Sequence, residues 1–348
     1  MRPFRKAGTG VPGKSLVAGA KPTRRESVPG KPGAIVLATG SELGTCINCP
    51  DTPCVNFREN EITSPVLTSF PFNRTKEVCP FGALTADTSK LVPIINDAAC
   101  IGCGLCVSRC PSNALYANTR GTVSLNDAEN GAFKTRAAAD PASHVDTVKR
   151  LDAAPRSGTI RPISLESLDT VMGKITAAAL HNTNQKLLAR NLLLCLGANA
   201  ATSTVGDSNL RIDMWWETGG MLWLTEVDFD LISLVDSPRN LLDDVAVCVS
   251  RHKVLRAKVG AMIINMEFPN KRSDYYHLIE DIKKVTKLEI RTLPIAALLL
   301  ALWTHKSVGE IDISKCIATR NDEDSSGGVS SFVTDTGILR SRYFCATK

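Results

Sequence analysis

The stretch CIGCGLCVSRCP, residues 100–111, constrains this chain more than any other. Cys100, Cys103, Cys106 and Cys110 fall at C-x2-C-x2-C-x3-C spacing, and Pro111 follows at once. Three closely spaced thiols wrap one centre, and the fourth, set before proline, points away toward a second. Such a run therefore calls for a partner set. Upstream stands CINCPDTPC, with Cys46, Cys49 and Cys54, and further on comes Cys79 followed by Pro80. This half is looser: C-x2-C-x4-C, a long insertion, then Cys-Pro. The two halves echo each other, since CPFGAL begins at Cys79 and CPSNAL at Cys110. Each Cys-Pro turn leads into a short apolar strand.

Four thiolates at this spacing are iron–sulfur ligands. Residues 37–118 resemble a bacterial two-cluster ferredoxin, with an insertion between Cys54 and Cys79. The resemblance implies two [4Fe–4S] clusters on an α+β ferredoxin-like fold. Its cross-ligation rule assigns Cys46, Cys49, Cys54 and Cys110 to one cluster, and Cys79, Cys100, Cys103 and Cys106 to the other. The wider Cys49–Cys54 spacing also allows a three-iron cluster or a shifted geometry. A zinc site built from two CxxC pairs is the competing use of these residues. Zinc needs neither the third cysteine nor the Cys-Pro ends. Cys195, Cys248, Cys316 and Cys345 stand alone at wide intervals and read as buried thiols.

The chain has 348 residues, 22% of them charged and 43% hydrophobic, which suits two globular domains. A net charge of +6 suits an anionic partner without requiring one. Residues 1–36 read as a basic flexible tail without the apolar core of a signal peptide. LPIAALLLALW, from Leu293, is the longest apolar run and is too short to span a bilayer. The expectation is a cytoplasmic protein without membrane partners, in which 12 cysteines are not spent on disulfides.

Residues 119–162 are polar and alanine-rich and read as a linker. A different pattern fills residues 163–315. LESLDTVMGKITAAALHNTNQKLLARNLLLCLG reads as helical, with Gly197 as its C-cap. Two apolar-rich runs flanking ETGG predict a β-hairpin. A helix then starts at Ser237 as N-cap and Pro238 as first helical residue. GAMIINMEF reads as a buried strand, SDYYHLIEDIKKVTK as an amphipathic helix, and LEIRTLPIAALLLALW as a strand running into a helix. This order predicts an α/β domain with a central mixed sheet, followed by a C-terminal tail over residues 316–348.

The hairpin carries a second set of candidate residues. Asp213 sits on its first arm; Glu226 and Asp228, two apart on the second, project from one face. Three carboxylates gathered at a sheet edge are a hard oxygen site for Mg2+ or Mn2+. On the bland reading they are solvent-facing charges of an amphipathic hairpin. GDSNLRIDMWWETGGMLWLTEVD resembles the core of the restriction-endonuclease-like PD-(D/E)xK superfamily, and the likeness extends over residues 177–303. It implies Asp213 and Glu226 as metal ligands, with Asp228 standing where the family has its water-polarising lysine. Three readings follow: a lysine of the next helix such as Lys253 substitutes, the extra carboxylate supports a different metal arrangement, or the domain has lost catalysis and binds or senses. Arg211 is a candidate phosphate contact or the partner of a carboxylate, and Trp215, Trp216 and Trp223 read as packing groups.

Together these features lead us to expect an iron–sulfur protein with a metal-dependent endonuclease-like domain that acts on or binds DNA, under redox control. The alternative is a ferredoxin-type electron-transfer protein. Its second half would then be an inactive module that docks a redox partner protein or nucleic acid.

Overall fold

The computed structural model describes residues 44–62, 71–87, 92–126, 140–156, 158–204, 212–319 and 325–346. The basic tail over residues 1–36 and Arg211 lie outside the described residues.

The cysteine-rich half is built from two short hairpins. Strands β1 (Leu84–Asp87) and β2 (Val92–Ile95) pair antiparallel, as do β3 (Leu115–Ala117) and β4 (Val123–Leu125). β1 and β3 both begin on a buried leucine, Leu84 and Leu115, at matching positions after the two Cys-Pro turns. A single helical turn, α1 (Leu105–Ser108), carries Cys106 between the hairpins. β4 lies in the segment expected to be linker, which also contains helix α2 (Pro141–Asp152), capped by Asp140. His144 of α2 hydrogen-bonds the Asn48 carbonyl at 3.2 Å, so this segment belongs to the cysteine-rich half.

The stretch expected as one helix is two, α3 (Leu165–Ala177) and α4 (Asn182–Cys195). Ala179 takes a left-handed φ of 43°, and His181 accepts from Thr183 N to start α4. Gly197 ends α4 with φ 85°, as its position implied. Strands β5 (Asn199–Thr202), β6 (Met214–Thr218) and β7 (Met221–Asp228) form an antiparallel meander. Thr218 pairs with Met221 across Gly219-Gly220. Both glycines have positive φ, as a primed two-residue turn requires.

Helix α5 (Ser237–Arg251) then leads to β8 (Val259–Asn265), and α6 (Asp274–Thr286) leads to β9 (Ile290–Pro294). α5 takes Ser237 into the helix and uses Asp236 as its cap position, one residue earlier than the sequence pattern implied. Among the described residues the sheet order is β5-β6-β7-β8-β9, with β7, β8 and β9 parallel. Alternate side chains feed opposite faces. Leu222, Leu224, Ala261 and Ile263 face α5 and α6; Met214, Trp216, Met262 and Ile264 face α4 and helix α7 (Ile295–Trp303). Every residue of β8 is buried, as expected of a parallel strand covered on both sides.

All nine residues of α7 are buried too, which no two-layer domain facing solvent would produce. The reason is the cysteine-rich half, which packs on its far side. Phe57, Ile101 and Leu105 belong to the same core as α3, α4 and α7. Trp303 Nε1 donates to the Cys103 carbonyl at 2.8 Å, and Ile160 N to the Trp303 carbonyl at 2.8 Å. The insertion after Cys54 is tied to α4 and β5. Asn191 Nδ2 donates to the Glu77 and Val78 carbonyls at 2.9 and 3.0 Å, Arg190 to those of Asn73 and Thr75, and Phe72 bridges Ser203 beside β5. A shared core therefore crosses the expected division into residues 37–118 and 163–315, while a smaller core around Cys46, Cys54 and Cys110 lies within the cysteine-rich half alone.

Nor is the end of the chain a tail. Val329, Val333, Tyr343, Phe344 and Ile338 of helix α8 (Thr336–Leu339) are buried in the shared core. Thr292 N donates to the Cys316 carbonyl, and Phe268 N to that of Arg342. The stretch lacks a regular apolar period, so its pattern looked like that of a loop.

One substitution tests the shared core. Trp303→Phe keeps an aromatic ring in place but leaves the Cys103 carbonyl without its donor, at a cost of about 1–3 kcal/mol. We expect a lower urea midpoint, with far-UV and fluorescence signals lost together in wild type and variant alike. Two separate transitions would show that the halves fold independently.

Candidate metal centres

The cysteines gather in two groups. Cys49 and Cys54 are each pushed up first by burial and then by the proximity of Cys110 and Cys46. Cys103 and Cys106 are likewise pushed up by burial, with Cys79 and Cys100 as neighbours. Cys106 also lies near Cys54, so the groups adjoin. Buried thiols that raise one another resist ionising alone, and a thiolate-binding cation relieves that.

The backbone is arranged to accept such a centre. Ala114 N donates to Cys110 Sγ at 3.2 Å, and the amides of Phe81 and Ala83 serve Cys79. Gly102 has φ 72°, and a Cβ there would fall 2.2 Å from both Arg161 Nη2 and the Gly121 carbonyl oxygen. The space between Cys79, Cys100, Cys103 and Cys106 is otherwise lined by apolar groups such as Phe81 and Ile95. Among the described residues no three His, Cys, Asp or Glu side chains converge tightly enough for a single metal ion.

Cys248 and Cys316 stand apart from both groups. Burial pushes them up to about 11 and about 12, so they remain thiols at neutral pH.

The carboxylates lie at the carboxyl end of β7, which is the middle strand of the sheet and not its edge. Asp213 immediately precedes β6, and the register Met214↔Thr225 sets it beside Glu226. Its Oδ2 accepts from Val227 N at 3.2 Å, and its Oδ1 forms an ion pair with Lys186 of α4. Glu226 is buried against Asp244 of α5, and the two carboxyls share a hydrogen bond. Burial, then Asp213 and Asp244, push Glu226 up to about 10. Burial also raises Asp213, against the pull of Lys186.

Asp228 does different work. It accepts from Ser233 Oγ at 2.7 Å and Ser237 Oγ at 3.3 Å, and so organises the turn into α5. Lys253 is not the substitute lysine. It is exposed beyond the end of α5, close to the start of β8, and the start of β8 pairs with Leu222. Asp228 pairs with Asn265 at the other end of the same strands.

The lysine that does reach the carboxylates is Lys186. Sequence spacing within NTNQKLLARNLLL marks it as helical but cannot say which strand end it meets. Asp244 was hidden in the same way, inside an otherwise ordinary amphipathic helix. Mg2+ is commonly held by one or two carboxylates with water completing its shell. Asp213, half-buried, and Glu226, buried, repel each other and fit that demand.

Comparison with known proteins supports the cysteine-rich half. Residues 93–116 match the family model described as "4Fe-4S binding domain". The chain is also similar to the polyferredoxin-like subunit of aliphatic sulfonate oxidoreductase from Pyrococcus furiosus, 34% identical over 67 residues. That match covers 19% of this chain and 27% of the relative's length. No solved structure matches. The chain thus contains a ferredoxin-type iron–sulfur segment. Among the described residues, no helix is long and apolar enough to cross a membrane.

The buried acid pair makes a pH prediction. Below the unfolded carboxyl pKa both states hold the Glu226 proton and it contributes nothing. Above it the unfolded chain ionises while the folded one does not, so wild type loses stability as pH rises toward about 10. Glu226→Gln removes this loss. In divalent-free buffer its thermal midpoint should exceed that of wild type at pH 8–9 and approach it near pH 4.

Proposed function

We propose that this chain carries two [4Fe–4S] clusters in a ferredoxin-type module, joined through one core to a metal-dependent phosphodiesterase domain that acts on DNA and responds to cluster oxidation state. Cys46, Cys49, Cys54 and Cys110 would hold one cluster, and Cys79, Cys100, Cys103 and Cys106 the other. The observation that supports this part is the match of residues 93–116, which carry Cys100, Cys103, Cys106 and Cys110, to the 4Fe-4S binding-domain model.

The phosphodiesterase reading rests on the meander β5-β6-β7, the crossover through α5 to parallel β8, and the acids placed at the carboxyl ends of this framework. Asp213 and Glu226 would hold Mg2+ or Mn2+, which when bound supplies charge neutralisation at phosphate and an acidified water. Lys186 takes the role that Asp228 cannot fill. Its ammonium, kept at the site by Asp213, orients the water and offsets developing negative charge. Asp244 shares a hydrogen bond with Glu226 and so holds its carboxyl in place. Redox response has a physical route, since α1, which carries Cys106, packs on α4, which carries Lys186.

A second reading follows from the polyferredoxin-like relative: electron transfer to a partner protein, with the α/β half as docking module. One set of assays separates the two. Anaerobically purified protein should hold about eight iron and eight sulfide per chain. It should cleave DNA with Mg2+ or Mn2+, and the rate should differ between oxidised and reduced clusters. Asp213→Ala combined with Glu226→Ala should abolish cleavage at unchanged iron content, and Lys186→Met should slow it about 100-fold or more. Fully loaded wild type that cleaves neither single- nor double-stranded DNA in either redox state would leave electron transfer as the function.

A further inference from the structure

Arg161 is a buried arginine in an unusual place. It is 5% exposed, its Nε donates to the Gly102 carbonyl at 2.7 Å, and its Nη2 has no hydrogen-bond partner in the protein. No carboxylate pairs with it among the described residues. A buried guanidinium without an anion is costly. The nearest groups able to carry negative charge are Cys103 and Cys100. The positive φ of Gly102 and its missing Cβ are what allow Nη2 so close to the cysteine loop. Lys174, in α3, adds a second cation by donating to the Gly121 carbonyl at 3.0 Å, above the same loop. Asp97 lies nearby, but it is exposed and already paired with Arg120 at 3.0 Å.

The other cysteine group is set differently. Asp51 and Asp152 face Cys49, bridged by Arg58 at 2.5 and 3.0 Å. Arg156 donates to the Cys110 carbonyl at 2.7 Å, but it is partly exposed and also serves Asn113. Charges there come in opposite pairs within reach of water, which screens them. Around Cys100 and Cys103 the charge of Arg161 is buried and paired with no carboxylate among the described residues, and a buried charge acts with greater force.

A cluster held by four thiolates is an anion and becomes more negative on reduction, so a fixed buried cation favours its reduced form. We propose that Arg161 sets the cluster of Cys79, Cys100, Cys103 and Cys106 at a higher reduction potential than that of Cys46, Cys49, Cys54 and Cys110. An electron received from a one-electron donor protein then comes to rest beside Trp303 and the α/β sheet. The transfer between the centres moves one electron, with no bond made or broken and no proton carried. This inference rests on the two-cluster reading.

The test is an EPR-monitored redox titration of the full-length protein, wild type against Arg161→Met, with iron and sulfide measured first. Wild type should show two one-electron waves. In the variant the upper wave should fall by at least tenfold in reduction equilibrium constant, about 59 mV, while the lower wave stays in place. The displaced wave should be the one that Cys79→Ser alters and Cys49→Ser does not. If Arg161→Met fails to load both clusters, Arg161→Lys replaces it. Its shorter arm draws the charge back, and a smaller fall of the same wave is expected. Two waves that do not move, or that move together, overturn the inference. So does movement of the wave altered by Cys49→Ser. Wild type with only four iron per chain would instead overturn the two-cluster reading beneath it.

Discussion

Trp303 stands where three parts of the molecule meet. Its ring closes the buried helix α7, its indole N–H holds the Cys103 carbonyl, and its own carbonyl receives the amide of Ile160. The cysteine loop therefore takes its shape from the sheet domain as well as from its own turns. That explains an otherwise odd sequence feature. IAALLLALW is apolar on every face because one side meets the sheet and the other meets the cysteine-rich half. With no polar stripe to face water, α7 requires that both layers be present.

This joint core gives the two candidate centres a mechanical relation. α4 touches the cysteine-rich half through Asn191 and Arg190, and its N-terminal half presents Lys186 to Asp213. α1, which carries Cys106, rests against α4. Energetic coupling needs a contiguous element that both sites can bias. α4 is the contiguous element that contacts both sites.

Local signals were the legible ones. The cysteine spacing, the Cys-Pro echo and the Gly219-Gly220 turn each depend on a few neighbouring residues, and each sits where the pattern placed it. Gly197 could be read as a cap for the same reason. The misreadings arose where distant segments decide. Asp228 looked like a metal-site residue because it follows Glu226 by two, yet Ser233 and Ser237 claim it for the turn into α5. Lys253 looked close because its helix follows the hairpin, yet that helix carries it to the opposite end of the strands. Lys186 and Asp244 reach the acids from two different helices, and nothing in either helix's own pattern announces this. Residues 316–346 hid their role because scattered apolar side chains such as Val333 and Tyr343 fill gaps without any period.

The central proposal is that eight cysteines hold two neighbouring clusters beside a core shared with the α/β sheet. Its most direct test is the EPR spectrum of the fully reduced, anaerobically purified protein. Adjoining paramagnetic centres interact, so the account predicts a broadened, split spectrum integrating to about two spins per chain. A simple, unsplit signal integrating to about one spin would contradict it.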